Sequence, residues 1–382
     1  MEITTISLSI SMVVLLLAAV SPLVSPFFRL PKRNDNDSAA IGDNGDKPVS
    51  VVIISHDNAP ELEKHLPEFL SQKYNVEFQV IVVADERDSE TDDVIKRFSS
   101  DPHLYATFMP LSSRYISRKK LAITLGIKAA KHPWVIITDA WCMPESDEWL
   151  HSFASNLDDS TDVVLGYSHY DEEAPSHYHF ENIVNAAINL RAAQKDSAYA
   201  SASRIVAIKK DNFLEGDGYL GSLNLMRGEY DFLVNKFGRG YNTATAFTPT
   251  AFLCEDTPFA KRWSENHLFA INTGRQLEGH WLYTLMRQLD MVLMNLTNIA
   301  SIGAIVYGAI KEDWIVMGAG IFALIFTYII LSLLAKRAMR RFNCSVNPFI
   351  VPFMAYTQPL RNLGWRLRYY FANKNDFITH KI

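Results

Sequence analysis

The sequence is short of cysteine and carries no excess of positive charge. Its three cysteines, Cys142, Cys254 and Cys344, lie far apart along 382 residues, which excludes a small disulfide-stapled fold and offers no metal-ligand spacing. The net charge of −5 lacks the basic character of nucleic-acid-binding domains, so we expect no nucleic-acid partner. Hydrophobic residues make up 48% of the chain, which excludes disordered and low-complexity architectures and favours one or two packed domains.

Three segments contain no charged residue at all: residues 3–28, 291–310 and 314–335, with lengths of 26, 20 and 22 residues. A helix of about 20 apolar residues crosses the roughly 30 Å hydrocarbon core of a bilayer. Each segment is therefore long enough to form a transmembrane helix. The mean hydropathy of −0.02 hides this division, because it averages three apolar segments with a charged remainder.

The first two segments allow a second interpretation. A cleaved signal peptide is the alternative for the first, but Glu2 and the absence of a positive charge before the apolar core argue against it. A buried amphipathic helix is the alternative for the second, because Asn295, Thr297 and Asn298 interrupt it. The short connection to the third segment, Lys311–Asp313, favours a helical hairpin over that alternative.

Basic residues follow the first and third apolar segments. They are Arg29, Lys32 and Arg33 after the first, and Lys336, Arg337, Arg340 and Arg341 after the third. The positive-inside rule places both flanks in the cytoplasm. The sequence therefore predicts a multi-pass membrane protein in which everything from about Pro31 to Gln288 is cytoplasmic.

Composition divides the chain into five regions. Asn34–Lys47 is polar and rich in Gly and Asp, as expected of a linker, whereas Pro359–Phe371 interleaves arginines with Leu, Trp and Tyr. The latter composition is typical of a helix that lies in the headgroup layer and binds membrane lipid; a surface helix packed on the domain is the alternative. The predicted regions are a transmembrane anchor (1–30), a linker (31–47), an α/β domain (48–288), a transmembrane hairpin (289–335) and a basic amphipathic cytoplasmic tail (336–382).

Buried strands alternate with amphipathic helices in the central region. The predicted strands are Val49–Ser55, Phe78–Ala84 and Trp134–Thr138, and the predicted helices are Pro60–Gln72, Thr91–Phe98 and Ser117–Ala130. Short strand–helix connections predict an α/β fold with a parallel sheet and right-handed crossovers. Ligands of such sheets bind beyond the carboxyl ends of the strands, where this sequence has Ser55–Asn58, Asp85–Asp88 and Asp139. We therefore expect a binding site at that edge.

Three runs of the central region, taken in order, carry a family resemblance: VSVVIISHDN, VIVVADERDSETDDVI and SRKKLAITLGIKAAKHPWVIITDAWCMPESDEWL. They resemble an inverting family 2 glycosyltransferase of the GT-A fold, over roughly Pro48 to Gly274. With its flanking apolar segments the chain resembles membrane-anchored bacterial members that build polysaccharides or lipid-linked glycans at the inner membrane. The resemblance implies a GT-A domain with a Rossmann-like mixed sheet and three transmembrane helices. It also implies transfer of a hexosyl-type sugar, with inversion, from a nucleotide-sugar donor to a lipid-linked or membrane-proximal glycan acceptor.

The resemblance also implies which residues bind the donor. Ser55 and Asp57 match the first-strand loop that embraces the nucleotide, and Asp85 matches the acidic position that contacts base or ribose. Lys119 or Lys120 lies where the family places basic residues ahead of its metal motif. The alternatives are that Ser55 and Asp57 cap loops and that the lysines are solvated helix charges.

The family motif for a divalent cation is Asp-x-Asp at the end of the third strand, and this sequence has Asp139-Ala140-Trp141. Mg²⁺ or Mn²⁺ held by carboxylates neutralises the diphosphate leaving group as the sugar carbon acquires positive charge. Trp141 cannot ligate a metal ion, so either Asp139 holds the cation with the help of water or the cation is lost. His267 is a candidate late metal ligand; a structural histidine is the alternative.

The resemblance places the general base in an acidic stretch at a helix start, which here reads Gly228-Glu229-Tyr230-Asp231. An inverting transfer needs a base that takes the acceptor proton as the acceptor oxygen attacks. Asp231 is the first candidate and Glu229 the second. Gly followed by acids is also a helix-start signature, and both roles are compatible.

Two further family segments depart from the expected pattern. The donor-pocket stretch, Ala200–Arg204, lacks its Asn, and the closing segment, sought in Trp263–Gly274, contains no Arg. Two functions therefore remain open. One is an active membrane-bound glycosyltransferase; the other is a catalytically degenerate relative that serves as a binding or scaffold subunit of a glycan-assembly complex. The position of the Trp141 ring relative to Asp139 discriminates between them.

Overall fold

The structure, a computed structural model of the chain, describes residues 5–33, 47–110, 117–238, 242–279 and 281–377. Apart from Lys47, the predicted linker Asn34–Lys47 lies outside the described residues. The chain divides into two compact units. The first, the helical unit, comprises Met1–Leu30, Ser176–Val184 and His280–Trp365; the second, the sheet unit, comprises Pro31–Pro175, Asn185–Gly279 and Arg366–Ile382.

Three long helices dominate the helical unit: α1 (Thr5–Val24), α10 (Trp281–Lys311) and α11 (Trp314–Arg341). Each is long and apolar enough to cross a membrane, in agreement with the sequence prediction. Helix α10 begins eight residues before the predicted hairpin boundary at residue 289.

Small and polar side chains lie where the three helices pack. Ala18, Ala304 and Ala323 belong to one buried cluster, and small residues at such positions let helix backbones approach closely. Thr297, which interrupts the second apolar segment, donates hydrogen bonds to Leu293 O within its own helix and, at 3.3 Å, to Leu17 O of α1. Its hydroxyl is therefore satisfied at a helix–helix contact rather than exposed to lipid.

The described strands form two sheets in the sheet unit. They are β1 (Val49–Ile54), β2 (Phe78–Asp85), β3 (Leu104–Met109), β4 (Trp134–Asp139), β5 (Cys142–Pro144), β6 (Val163–Leu165), β7 (Ser168–Tyr170), β8 (Val206–Lys209), β9 (Thr243–Thr245) and β10 (Leu253–Glu255). The larger sheet has the order β3-β2-β1-β4-β8-β6-β9, and the smaller has the order β5-β10-β7. Strands β1 and β4 are buried along their whole length, as their β-branched runs predict.

The larger sheet is mixed. Strands β3, β2, β1 and β4 are parallel, whereas β8 is antiparallel to both β4 and β6. The α/β class and the mixed sheet are confirmed, but among the described strands β8 alone departs from the wholly parallel sheet expected from strand–helix alternation, since β6 and β9 run in the same direction as β4. The reason is that β6 and β8 have three and four residues, too few to show a periodicity or a direction in the sequence.

The remaining helices are α2 (Ala59–Leu70), α3 (Ser89–Arg97), α4 (Arg118–Ala129), α5 (Trp149–Ala154), α6 (Ser176–Ala193), α7 (Lys210–Glu215), α8 (Glu229–Leu233), α9 (Ala260–Gly274) and α12 (Val351–Phe371). Helices α2, α3 and α4 match the predicted segments to within two residues at each end. Gly126 of α4 lies so close to β1 that a Cβ atom there would be 2.4 Å from Val52 Cγ1. This close packing fixes the start of α4 at the carboxyl edge of the sheet.

Candidate active site

The carboxyl ends of β1, β2 and β4 meet at one edge of the larger sheet. Ile54 pairs with both Val83 and Asp139 in the parallel register, and Asp85 ends β2 one strand away. The structure therefore places Ser55, Asp85 and Asp139 at the same edge, as the strand pattern predicts. Such an edge is where parallel sheets bind their ligands.

The loop after β1 is built around Asp57. Asp57 has a left-handed backbone with φ of 52°, and its N–H donates a 3.2 Å hydrogen bond to Asp88 Oδ2. Asp88 also caps α3 by accepting from Thr91 N, while the buried Ser55 hydroxyl lies 3.5 Å from Thr91 Oγ1. The helix cap in this loop is thus Asp88, and the Asp57 carboxylate remains largely exposed to solvent.

Asp85 is paired with a cation that the sequence interpretation did not include. Arg118 Nη2 lies 2.5 Å from Asp85 Oδ2. Ser117 caps α4 by accepting from Lys120 N at 3.2 Å, and this start places Arg118 and Lys119 in the first turn, next to the sheet edge. Part of each side chain of the Arg118–Asp85 pair reaches solvent, so the pair can meet a polar ligand.

Asp139 and Glu255, which we call the carboxylate pair, are buried and share one arginine. Arg204 Nε donates a 2.8 Å hydrogen bond to Glu255 Oε1, and its Nη1 lies 3.6 Å from Asp139 Oδ2. Lys119 Nζ lies 2.7 Å from the Asp139 carboxylate. Burial raises the pKa of Glu255, although Arg204 opposes the rise. Burial lowers the pKa of Arg204, but the carboxylate pair outweighs burial and holds it above its ordinary value.

Trp141 lies among three cations, Lys119, Arg204 and Arg262, which we call the cation cluster. The centroid of its ring is 3.6 Å from Arg262 Cζ, 5.1 Å from Lys119 Nζ and 5.5 Å from Arg204 Cζ. All three distances are within the range of cation–π attraction. The Trp141 Nε1 atom is buried and has no hydrogen-bond partner among the described residues. The Trp141 ring is therefore a platform that attracts all three cations through cation–π interactions.

The backbone of Ala140 and Trp141 makes hydrogen bonds to three neighbouring segments. Ala140 N donates to Ile54 O at 3.0 Å, and His65 Nδ1 lies 2.8 Å from Ala140 O. Asp256 N donates to Trp141 O at 3.0 Å. Because β1, α2 and the end of β10 all fix this turn, the Trp141 ring occupies a defined place beside Asp139.

The side chains at this position do not fit a divalent cation. Asp139 is fully buried beneath Lys119 and Arg204, and the next acidic position of the motif is Trp141, which offers no oxygen ligand. Among the residues that the structure describes, no group of three or more His, Cys, Asp and Glu side chains could hold a metal ion. His267 lies in α9, with Nδ1 2.9 Å from Trp263 O. The prediction that Asp139 and His267 bind a metal ion gains no support from this donor set.

Lys120 lies in the interior rather than on a solvated helix face. Its side chain is fully buried, and Nζ donates to Ser222 O at 2.6 Å and to Leu225 O at 3.0 Å. Burial lowers the pKa of Lys120 to about 8, with Glu229 opposing the shift. The amine therefore fixes the loop between α7 and α8, and its predicted contact with a donor stays a prediction.

Replacing Lys120 by Met should loosen this loop. At pH 9 we expect a loss of about 2 kcal/mol of stability, because two buried carbonyls lose their donor. At pH 7 the loss of stability should be smaller. Below its pKa of about 8 the buried Lys120 amine is protonated, burial of this charge destabilises the unaltered chain, and the Met variant has no such charge. The thermal unfolding midpoint of the purified chain measures both. Lys128→Met, an exposed lysine of the same helix, is the control, and an equal loss in both variants would contradict the loop-fixing role.

The acidic stretch at the start of α8 follows Gly228, whose φ of 96° is left-handed. Asp231 Oδ1 accepts two hydrogen bonds from Ser201, from N at 3.0 Å and from Oγ at 2.9 Å. Burial raises the pKa of Asp231, although these hydrogen bonds oppose the rise. Glu229 is buried as well. An oriented carboxylate with a raised pKa suits proton abstraction, and the roles of Asp231 and Glu229 stay predictions.

Four residues of this site escaped the sequence interpretation: Arg118, Arg204, Glu255 and Arg262. Arg118 directly precedes the candidate lysines Lys119 and Lys120, and Arg204 ends the donor-pocket stretch in which an Asn was expected. Arg262 directly precedes Trp263–Gly274, the segment in which the family resemblance places a closing arginine. Glu255 carried no local signal, because only its strand pairing brings it to the site.

An α/β unit with a mixed sheet and charged side chains at the carboxyl edge is an arrangement in which such sheets bind their ligands. Residues 50–210 match the family model for Glycosyl transferase family 2. The match runs from β1 to the start of α7 and so includes Asp139, Trp141 and Arg204.

Solved structures agree with this fold class. The chain is similar to the mannosyltransferase PcManGT from Pyrobaculum calidifontis in complex with GDP-Man and Mn²⁺, with a TM-score of 0.51 and 14% identity, covering 93% of this chain and 98% of that one. It is also similar to S. aureus TarS 1-349 in complex with UDP-GlcNAc, with a TM-score of 0.41 and 13% identity, covering 84% and 89%. No curated protein matches the chain. The similarity to the mannosyltransferase structure, together with the family-model match, confirms the GT-A fold.

Proposed function

We propose that the chain is an active, membrane-bound glycosyltransferase that moves a sugar from a nucleotide-sugar donor to a lipid-linked or membrane-proximal glycan acceptor. The observation that carries the proposal is the family 2 domain whose sheet edge presents Asp57, the Arg118–Asp85 pair and the cation cluster. The exposed Asp57 and the Asp85 region offer carboxylates for base or ribose. The cation cluster offers charge for phosphate oxygens.

Transfer proceeds with inversion in this proposal. The bond between the anomeric carbon and the diphosphate oxygen breaks, and its electron pair remains on the diphosphate. The acceptor oxygen forms the new bond from the opposite face, and its proton passes to the carboxylate of Asp231. Ser201 orients that carboxylate through two hydrogen bonds to Oδ1. Glu229 is the second candidate for the base.

The three apolar helices support a membrane-proximal acceptor. In the proposed topology the glycosyltransferase domain is cytoplasmic, since basic residues follow both α1 and α11. The inner membrane of a bacterium is the proposed location. Arginines of α12 are proposed to contact anionic lipid.

A donor screen on the purified full chain tests the function. GDP-Man, the donor bound in the similar mannosyltransferase structure, and a panel of UDP-sugars are assayed for nucleotide release with a membrane lipid extract as acceptor, with and without Mn²⁺. We expect acceptor-dependent release with one donor, and nuclear magnetic resonance of the product gives the anomeric configuration. Failure to bind or turn over any donor under either condition would refute the proposal.

A binding subunit without catalysis is the second candidate. The burial of Asp139 and the replacement of a motif acid by Trp141 favour it, because both remove features that family members use. It predicts tight binding of a nucleotide sugar with no release of nucleotide in the same screen. Turnover of the donor therefore distinguishes the two candidate functions, whereas donor binding does not.

A further inference from the structure

The cation cluster has too few negative partners. Its three positive charges face the two charges of the carboxylate pair. Among the described residues Arg262 has no carboxylate within ion-pair distance, and its guanidinium stacks on Trp141. Burial, followed by repulsion from Arg204, lowers the pKa of Arg262 below its ordinary value. Cations crowded in this way repel one another, and an anion bound among them would relieve that repulsion.

The cluster is also within reach of a solute. The side chains of Lys119 and Arg204 are 20% and 24% exposed, and Arg262 is partly exposed. Guanidinium groups bind phosphate oxygens in pairs, and an ammonium adds a point charge. These donors suit an anion with several oxygens and more than one negative charge.

We propose that the cation cluster binds the diphosphate of the donor directly and takes the place that a divalent cation occupies elsewhere in the family. This inference rests on the proposed function. When the bond to the sugar breaks, the electron pair left on the diphosphate is stabilised by Lys119, Arg204 and Arg262. Donor binding and turnover then require no divalent cation.

The exchange of an acid for Trp141 is consistent with such a site. An aspartate at position 141 would add a third negative charge to the carboxylate pair and would favour a metal ion as the bridge to the diphosphate. The tryptophan instead removes that charge and attracts cations to its ring face. One substitution therefore changes the site from a cation-binding to an anion-binding one.

Calorimetric titration of the purified full chain with UDP, GDP and inorganic pyrophosphate tests the proposal in EDTA and in Mn²⁺. We expect at least one of the three to bind in EDTA, with a Kd that Mn²⁺ changes by less than about threefold. Binding that occurs only in Mn²⁺ would overturn the proposal and leave the glycosyltransferase function intact. Absence of binding in both conditions would remove the proposed function as well.

Variants locate the binding site. In EDTA, Arg262→Met and Lys119→Met should each weaken binding by about tenfold or more, the loss of a charge-assisted hydrogen bond. The matched controls are Arg275→Met, an exposed arginine stacked on Tyr369, and Lys128→Met. Full binding in both cluster variants would overturn the proposal.

The reverse exchange, Trp141→Asp, should weaken binding in EDTA and make it respond to Mn²⁺. A variant with no response to Mn²⁺ and unchanged binding in EDTA would contradict the platform role. Circular dichroism checks the fold of each variant, and the comparison of EDTA with Mn²⁺ on the unaltered chain does not depend on any of them.

Discussion

Asp231→Asn should reduce turnover by roughly a hundredfold to ten-thousandfold while leaving donor affinity within about twofold, because it removes the proposed general base and little else. An asparagine side chain keeps the oxygen that accepts both hydrogen bonds from Ser201, so the start of α8 retains its geometry. What the amide cannot do is take the acceptor proton. Nucleotide release and calorimetric binding, measured on the same preparation, separate the two effects.

The control for this variant is Asp211→Asn. Asp211 is an exposed carboxylate of α7, a helix that begins where Lys210 N donates to Pro133 O, at the opposite edge of the sheet from Asp139. It should retain full turnover. If Asp231→Asn retains full turnover and Glu229→Gln loses it, the base is Glu229.

The pH dependence of turnover offers an independent check on Asp231. Burial raises its pKa above the ordinary aspartate value of 3.8, and only the ionised form can accept a proton. Turnover should therefore fall as the pH falls through this raised pKa, and it should stay constant above it until another group titrates. In Asp231→Asn the residual activity should lose this acid limb. Persistence of the limb in the variant would assign it to another residue.

Much of the fold was predictable because its long elements carry strong local patterns. Strands β1, β2 and β4 are apolar runs rich in β-branched residues, and each of the three helices long and apolar enough to cross a membrane contains a charge-free segment of about 20 residues or more. Strands β5, β7 and β10 were not predictable, because each has three residues. Their identity as strands depends on pairing between distant segments, which no local pattern records.

The same distinction applies to the candidate site. Asp139 was predicted because it ends a strong strand, whereas Trp141 and Lys119 were singled out through the family resemblance. The partnership of Arg204 with Glu255 joins residues 51 positions apart, and Glu255 reaches the site only through a three-residue strand. Lys120 shows the converse: a lysine in a basic run reads as a solvated charge, yet the packing of α4 buries it completely. Local sequence patterns therefore predicted the edge of the sheet at which the site lies. Contacts between residues distant in sequence determine which charged side chains lie there, and these could not be predicted.

Arg204→Met should be the most destabilising single change at this site, costing about 3 kcal/mol. The arginine is the shared partner of the carboxylate pair, and removing one member of a buried ion pair leaves an uncompensated charge. For a unit of this size, the expected decrease in the thermal unfolding midpoint is roughly 6–12 °C. The loss should be larger at high pH and smaller as the pH falls, because a protonated Glu255 no longer needs the arginine.

A second substitution provides the control for Arg204→Met. In Arg204→Met/Glu255→Gln the buried charge is removed along with its partner, and the glutamine can still accept from Ser168 Oγ, which lies 3.3 Å from Glu255 Oε2. Most of the lost stability should return, since replacing both members of a buried pair is often nearly neutral. A double variant as unstable as Arg204→Met would show that the arginine stabilises the fold through Asp139 or its stacking on Trp141 and not through Glu255. Replacing Arg204 is expected to lower the stability of the fold as well as remove a positive charge. Arg262 and Lys119 are therefore the better residues to replace in tests of diphosphate binding.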